Sequence, residues 1–414
     1  MKLSDKEKEF ILSVYQRVSF YSEKIEECRY SINKIDLSTD WEKLPLVTKD
    51  DVLRNYQGML MPECIPRLYR GELFSVFTSG YTGHCMQVYW SVEDCKKSLL
   101  PLWVYRKKDF SISPQDRHCY FYSDKVYSGK QQKSEQIKNQ LGFSKINLTE
   151  NRLKEIYYQM LEFEPVWLIL QPVIAVLLHT IKKKYNLPNI KTLSYIEMTG
   201  EMLSKELREK LERTFHCRVA NQYGIQEANS IAYECSNGNL HCMDENVMVE
   251  ILDEHGVKVG EGVEGDIYIT SLRNRVMPFI RYRTGDRGYI SKQACTCGRT
   301  GSVLHLTDAR VTQWIRTRCG RKINPYVLLR TIEITNRKLG YVIMQFQVIQ
   351  KDYDKFLYKL VLEEKDFQYE VKKVILNNVC ETELQGSCFL FEFCDCIFPE
   401  EKTGKLSWFV SEIG

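Results

Sequence analysis

Between Val166 and Asn221 the sequence alternates two periods. Val166-Trp167-Leu168-Ile169-Leu170 is a short apolar run of strand length, followed by Pro172 and a longer apolar stretch closed by Lys182-Lys183-Lys184. Pro suits the first turn of a helix and cations suit its last turn, so the spacing predicts a helix over 172–185. A strand over 193–198, a helix over 204–214 and a strand over 218–221 follow. Strand–helix alternation of this kind requires parallel strands covered by helices, a layered α/β sheet.

The flanks differ. Residues 1–40 read as amphipathic helix, and Thr48 is placed to cap a helix starting at Lys49. Strands are expected over 73–78 and 87–90. After Tyr223 short β-rich pieces over 247–252, 265–270 and 288–291 suggest a small barrel or meander. From about Ala309 the pattern restarts, with a tight turn at 320–323, helices over 325–336 and 367–379, and strands over 345–350, 358–363 and 388–393. The expected organisation is a large N-terminal region over 1–306 and a compact, mobile α+β domain over 309–414.

Composition narrows the function. A net charge of +4 over 414 residues, with no long basic run, gives no signal for nucleic acid. The apolar stretch from Val166 to Ile181 is broken by Gln171, Pro172 and His179 and is too short for a membrane span. The first ten residues are too charged for a secretory signal, and fifteen cysteines form an odd count. Reduced thiols in the cytoplasm are therefore the expectation.

Several segments carry chemistry. Thr78-Ser79-Gly80-Tyr81-Thr82-Gly83 is a hydroxyl-rich small-residue turn between two strands, able to wrap phosphate oxygens with backbone N–H groups and hydroxyls. Thr403-Gly404-Lys405 sets a lysine on a Gly turn near the C-terminus. Tyr223-Gly224-Ile225-Gln226-Glu227 puts a ring, a glycine and a carboxylate at a strand end, where α/β sheets bind ligands. Arg281-Tyr282-Arg283-Thr284-Gly285-Asp286 ends on an aspartate suited to two ribose hydroxyls. Singly, each has a plain structural reading: a hairpin, a core aromatic, a capped turn, a solvated lysine.

Taken in order, with Leu44-Pro45, Thr48-Lys49 and Met198-Thr199-Gly200-Glu201, these segments resemble the AMP-forming adenylate enzymes, most nearly the phenylacetate–CoA ligase branch. The resemblance implies a two-step ligase. It activates an aryl or other small carboxylic acid with ATP and Mg²⁺ as an acyl-adenylate, then passes it to CoA. It also implies ATP at the junction of the two domains. Thr78, Ser79, Gly80, Thr82 and Gly83 would hold the β/γ-phosphates, and Gly200 and Glu201 would line the adenine site. Tyr223, beside Gly224, would stack on the base. Glu227 would ligate Mg²⁺, Asp286 would take the ribose hydroxyls, Arg310 would reach ribose or phosphate, and Lys405 would neutralise charge at the α-phosphate. Two departures keep other outcomes open. Ala309-Arg310-Val311-Thr312-Gln313 lacks the acidic hinge pair of the family, and 117–145 is polar and Lys-rich where phenylacetate ligases are Gly-rich. Transfer to a carrier-protein phosphopantetheine or another nucleophile is the first alternative, and an inactive nucleotide-binding scaffold the second.

Cys295-Thr296-Cys297 is a tight thiol pair, and Cys235, His241 and Cys242 lie close together upstream. If the intervening β segment joins the two loops, Cys235, His241, Cys295 and Cys297 make a closed S₃N set suited to structural zinc. Cys242 competes with Cys235 or His241, and buried free thiols are the alternative.

Overall fold

The computed structural model describes residues 3–78, 86–122, 134–145, 148–291, 295–299, 301–308, 314–340, 342–399 and 406–413. Two compact units emerge, each built from two stretches of chain: unit 1 from Met1–Pro114 and Ala220–Arg310, unit 2 from Gln115–Val219 and Val311–Gly414.

Unit 1 opens with two helices, Asp5–Arg17 and Ser19–Glu27. Ser4 and Glu7 form a capping box at the first, and Phe10, Ile11, Val14 and Tyr15 bury one stripe of it. Thr48 and Asp51 form a second capping box at the start of the helix Lys49–Arg54, as the sequence predicts. Leu73–Phe77 and Gln87–Ser91 pair antiparallel, and the long helix Val92–Phe110 follows directly. The second stretch is an antiparallel meander in the order 247–252, 265–271, 282–291, 303–308, 240–242, 229–234 and 218–225. Its inner face meets the N-terminal helices in one core containing Tyr21, Trp90, Ile231, Ile269 and Phe279.

Unit 2 contains the parallel sheet expected from the alternating pattern. Tyr195–Thr199 pairs with Trp167–Leu170, which pairs with His118–Tyr122, which pairs with Gln140–Ser144, all parallel. Ser134–Ile137 adds antiparallel on the outside. The helices Glu150–Phe163, Pro172–Lys184 and Lys205–Phe215 alternate with these strands and bury Leu153, Ile156, Leu178 and Leu211. The rest of unit 2 is a four-stranded sheet in the order 388–393, 355–362, 343–352 and 409–411. Helices Tyr326–Leu339 and Gln368–Val379 pack on it around Val348, Tyr358, Val371 and Ile375. Lys210, on the helix Lys205–Phe215, meets Glu363 at 2.5 Å, and Lys183 meets the other oxygen of Glu363 at 3.0 Å. Between them, helices of the parallel layer hold the end of the strand Lys355–Leu362 by charge-assisted bonds.

Unit 1 buries an ion pair beside the Leu44–Lys49 segment. The Arg281 side chain is 2% exposed and that of its partner Glu250 is 6% exposed, with Nη2 to Oε1 at 3.2 Å. Nη1 donates to the carbonyls of Leu44 at 2.7 Å and Glu42 at 3.1 Å. Arg281 itself has φ +47, a left-handed conformation uncommon outside glycine. Arg281→Met strands a buried carboxylate and is expected to cost about 3–5 kcal/mol in urea unfolding, most of it recovered by adding Glu250→Leu. A single variant within about 1 kcal/mol of the parent would contradict the pair's role.

Candidate functional site

Two tyrosine-held carboxylates stand in unit 1. Tyr223 lies on the strand Arg218–Ile225, and its hydroxyl donates to Asp286 Oδ2 at 2.7 Å. Tyr282 opens the strand Tyr282–Ser291 and donates to Glu227 Oε1 at 2.8 Å. Glu227 is buried, and the backbone beside it is tied down because Trp90 Nε1 donates to the Gln226 carbonyl at 3.0 Å. The segments around Tyr223 and Asp286, far apart in sequence, thus meet through their side chains. The turn before Asp286 is fixed by Thr284, whose hydroxyl donates to the Ile267 carbonyl and accepts from the Asp286 N–H at 3.1 Å.

Gly224 has a packing reason. A Cβ there would lie 2.2 Å from the Asn229 carbonyl oxygen, where the neighbouring strand crosses at a bulge. Thr78 closes the hairpin before the hydroxyl-rich turn. Its N–H donates to the Met86 carbonyl at 2.8 Å, and its Oγ1 accepts from the Met86 N–H at 2.9 Å. Ser79, Gly80, Thr82, Gly83, Arg310 and Lys405 lie outside the described residues.

Gly200 and Glu201 belong to unit 2, directly after the strand Tyr195–Thr199. Gly200 takes φ +82, a conformation glycine adopts without cost. Glu201 Oε2 accepts from the Val173 N–H at 3.1 Å and so caps the helix Pro172–Lys184 with a carboxylate at its positive end. Sequence reasoning misses this capping role, as it misses Tyr282 as the partner of Glu227. The one available signal for Tyr282 is its place inside the Arg281–Asp286 segment.

The thiol–imidazole set comes together in unit 1. The ligand atoms of Cys235, His241, Cys295 and Cys297 all lie within 4.8 Å of one another. Cys235 Sγ is 3.8 Å from Cys295 Sγ, and Cys297 Sγ is 3.4 Å from His241 Nε2. A tetrahedral zinc, with Zn–S about 2.3 Å and Zn–N about 2.0 Å, spaces sulfurs about 3.8 Å apart and sulfur from nitrogen about 3.5 Å apart. The residues present fit that ion. Cys242 is excluded by strand alternation: it follows His241 on the strand Leu240–Cys242 and faces the other way. Burial pushes its thiol up to about 12. Burial likewise raises Cys235 to about 11. At Cys295 the upward push of desolvation is outweighed by hydrogen bonds from the Cys297 backbone, Asn239, His241 and Cys297, which bring it down to about 6. Next to this turn, Arg299 pairs with Asp109, donates to the Tyr233 carbonyl at 3.0 Å and lies over the Tyr105 ring. The turn is thereby anchored to the helix Val92–Phe110.

No family model matches the chain. Among curated proteins it is similar to Protein CapK of Staphylococcus aureus, 26% identical over 290 residues, covering 67% of this chain and 60% of that protein. It is also 29% identical over 130 residues to the phenylacetate–coenzyme A ligase of Thermus thermophilus, 29% of each chain. The chain thus spans less than two thirds of the length of these relatives. Among solved structures, a 2-hydroxyisobutyryl-CoA ligase in its postadenylation state superposes with TM-score 0.74 at 15% identity, over 99% of this chain and 88% of that one. An anthranilate CoA ligase bound to anthranoyl-AMP gives TM-score 0.54 at 13% identity, over 80% of this chain and 65% of that one. The fold is that of the AMP-forming acid–CoA ligases.

Proposed function

We propose that this chain, built on the fold of the AMP-forming ligases and similar in sequence to their phenylacetate–CoA ligase branch, activates a small carboxylic acid with ATP. A carboxylate oxygen attacks the α-phosphorus, the bond to the β-phosphate breaks, and pyrophosphate leaves with an acyl-adenylate behind. A thiolate then attacks the acyl carbon, and AMP departs with its bonding electrons as the thioester forms. The pair of tyrosine-held carboxylates carries this reading. Asp286, oriented by Tyr223, is of the right chemistry to accept from both ribose hydroxyls. Glu227, oriented by Tyr282, offers the oxygen chemistry that a magnesium ion takes. That ion, when bound, supplies neutralising charge at the phosphates. The backbone and hydroxyls of 78–83 would bind the β/γ-phosphates, and Arg310 would contact ribose or phosphate.

Gly200 and Glu201 would border the adenine, with the Glu201 carboxylate already held at a helix start. Lys405 would place its ammonium where negative charge grows on the α-phosphate, an effect that is large because the donor is positioned beforehand. The segment 309–414 would act as the moving domain that delivers it. CoA is the acceptor named for the structural relatives and is the first candidate thiol here; a carrier-protein phosphopantetheine is the second. No helix of the described residues is long and apolar enough to cross a membrane, and the chain is proposed to work in the cytoplasm.

Acid-dependent pyrophosphate release from ATP tests the first step, and AMP with a thioester on addition of CoA tests the second. Lys405→Ala is expected to lower acid-dependent pyrophosphate release by about 10²–10³-fold while ATP still binds. Unchanged release would refute the role of Lys405.

We also propose that Cys235, His241, Cys295 and Cys297 hold a structural zinc that clamps the 295–299 turn to the hairpin 229–242. One zinc per chain is expected by elemental analysis, with its loss and a fall of several degrees in Tm in Cys297→Ser. Purified protein with no stoichiometric metal would dismiss the site.

A further inference from the structure

The strands on either side of the hydroxyl-rich turn need support from outside. Among the described residues Leu73–Phe77 and Gln87–Ser91 pair only with each other, and a two-stranded hairpin is marginal in water on its own. Alternation along 86–90 turns Met86, Val88 and Trp90 to one face, and all three are buried in the core of unit 1. On the free edge of the second strand, Tyr56 donates to the Gln87 carbonyl and Asn274 Nδ2 to the Tyr89 carbonyl at 3.2 Å. Asn274 is itself fixed, its Oδ1 accepting from the Val276 and Met277 N–H groups. These contacts hold the hairpin to the body of unit 1.

Trp90 makes a tie of another kind. Its indole N–H donates to the Gln226 carbonyl at 3.0 Å, so the second strand of the hairpin reaches the turn between the strands Arg218–Ile225 and Asn229–Glu234. That turn carries Glu227, whose carboxylate accepts from Tyr282. Glu227 is thus held twice. The strand that leaves the hydroxyl-rich turn holds the backbone beside it, and the strand that carries Asp286 holds its carboxylate. A buried indole N–H takes a partner somewhere. Here the partner is the residue next to the candidate metal ligand.

We propose that Trp90 is a positioning residue for the metal carboxylate: its indole hydrogen bond registers Glu227 to the hairpin that carries the phosphate-binding turn. The inference rests on the roles proposed above for Glu227 and for the backbone and hydroxyls of 78–83. Groups that hydrogen-bond around a metal ligand orient it, and losing one typically costs about 10–100-fold in metal affinity or activity. Phosphates held by the hairpin and a magnesium ion held by Glu227 strengthen each other only at the right spacing. Loss of the indole N–H therefore costs the affinity that magnesium adds to ATP, and leaves the affinity of ATP alone close to that of the parent.

The test compares ATP binding to the full chain by calorimetry in Mg²⁺ and in EDTA, beside the Mg²⁺ dependence of acid-dependent pyrophosphate release. In Trp90→Phe the affinity in EDTA is expected to stay within about threefold of the parent, while the gain on adding Mg²⁺ falls about tenfold. The Mg²⁺ concentration for half-maximal release should rise by about the same factor, and the KM for the acid should not move. Benzothienylalanine incorporated at position 90, which replaces only the N–H by sulfur, should give the same result, and it decides the matter where the phenylalanine variant folds poorly. Tyr282→Phe should show the same signature, and the double variant should lose less than the two singles combined, because both act through Glu227. An unchanged Mg²⁺ gain in the position-90 variants, or an equal loss of ATP affinity with and without Mg²⁺, overturns the inference; the signature in Tyr282→Phe then still supports the metal role of Glu227. No Mg²⁺ gain in the parent, or a Glu227→Gln variant that keeps it, overturns that role and the inference with it.

Discussion

The Arg281–Glu250 pair joins the parts of unit 1 on which the candidate site depends. Its guanidinium binds the carbonyls of Glu42 and Leu44, and the backbone on either side continues the tie: the Val47 N–H donates to the Arg281 carbonyl, and the Arg283 N–H to that of Val47. The Leu44–Lys49 segment is thereby bound alongside the Arg281–Asp286 segment. Two groups that the site requires follow within five residues, Tyr282 reaching Glu227 and Asp286 receiving Tyr223. A buried ion pair is weak evidence for stability taken as a whole, because desolvation offsets much of the attraction. Its effect here is to set position: the turn it fixes is the one from which both carboxylates are organised.

Unit 2 also fixes position by charge. Glu363 takes up Lys210 and Lys183, and Glu201 takes up a helix start.

What the sequence reveals follows the range of the interaction. Capping at Thr48, Pro172 opening a helix and lysines closing it are local, and each stands where the pattern puts it. The Cys/His set is legible because metal chemistry restricts residue type so strongly, and strand alternation then decides between His241 and Cys242. The helix Val92–Phe110 is not legible, since Pro101 sits inside it and its weak amphipathic pattern gives no clear period. Nor are the strands 118–122 and 140–144, short and fully dependent on their neighbours for burial. Lys145 looks like any surface lysine in a polar stretch, because burial is a tertiary property. Arg281 reads only as part of the Arg281–Asp286 segment, and its burial against Glu250 and the carbonyls of Glu42 and Leu44 is a tertiary property.

The account stands on carboxylate attack at the α-phosphorus of ATP. The most direct measurement uses a turned-over acid labelled with ¹⁸O in its carboxylate, followed by mass analysis of the nucleotide product. Attack at the α-phosphorus moves one labelled oxygen into AMP when the adenylate is cleaved at the acyl carbon. ADP as the product, with the label in inorganic phosphate, would contradict it.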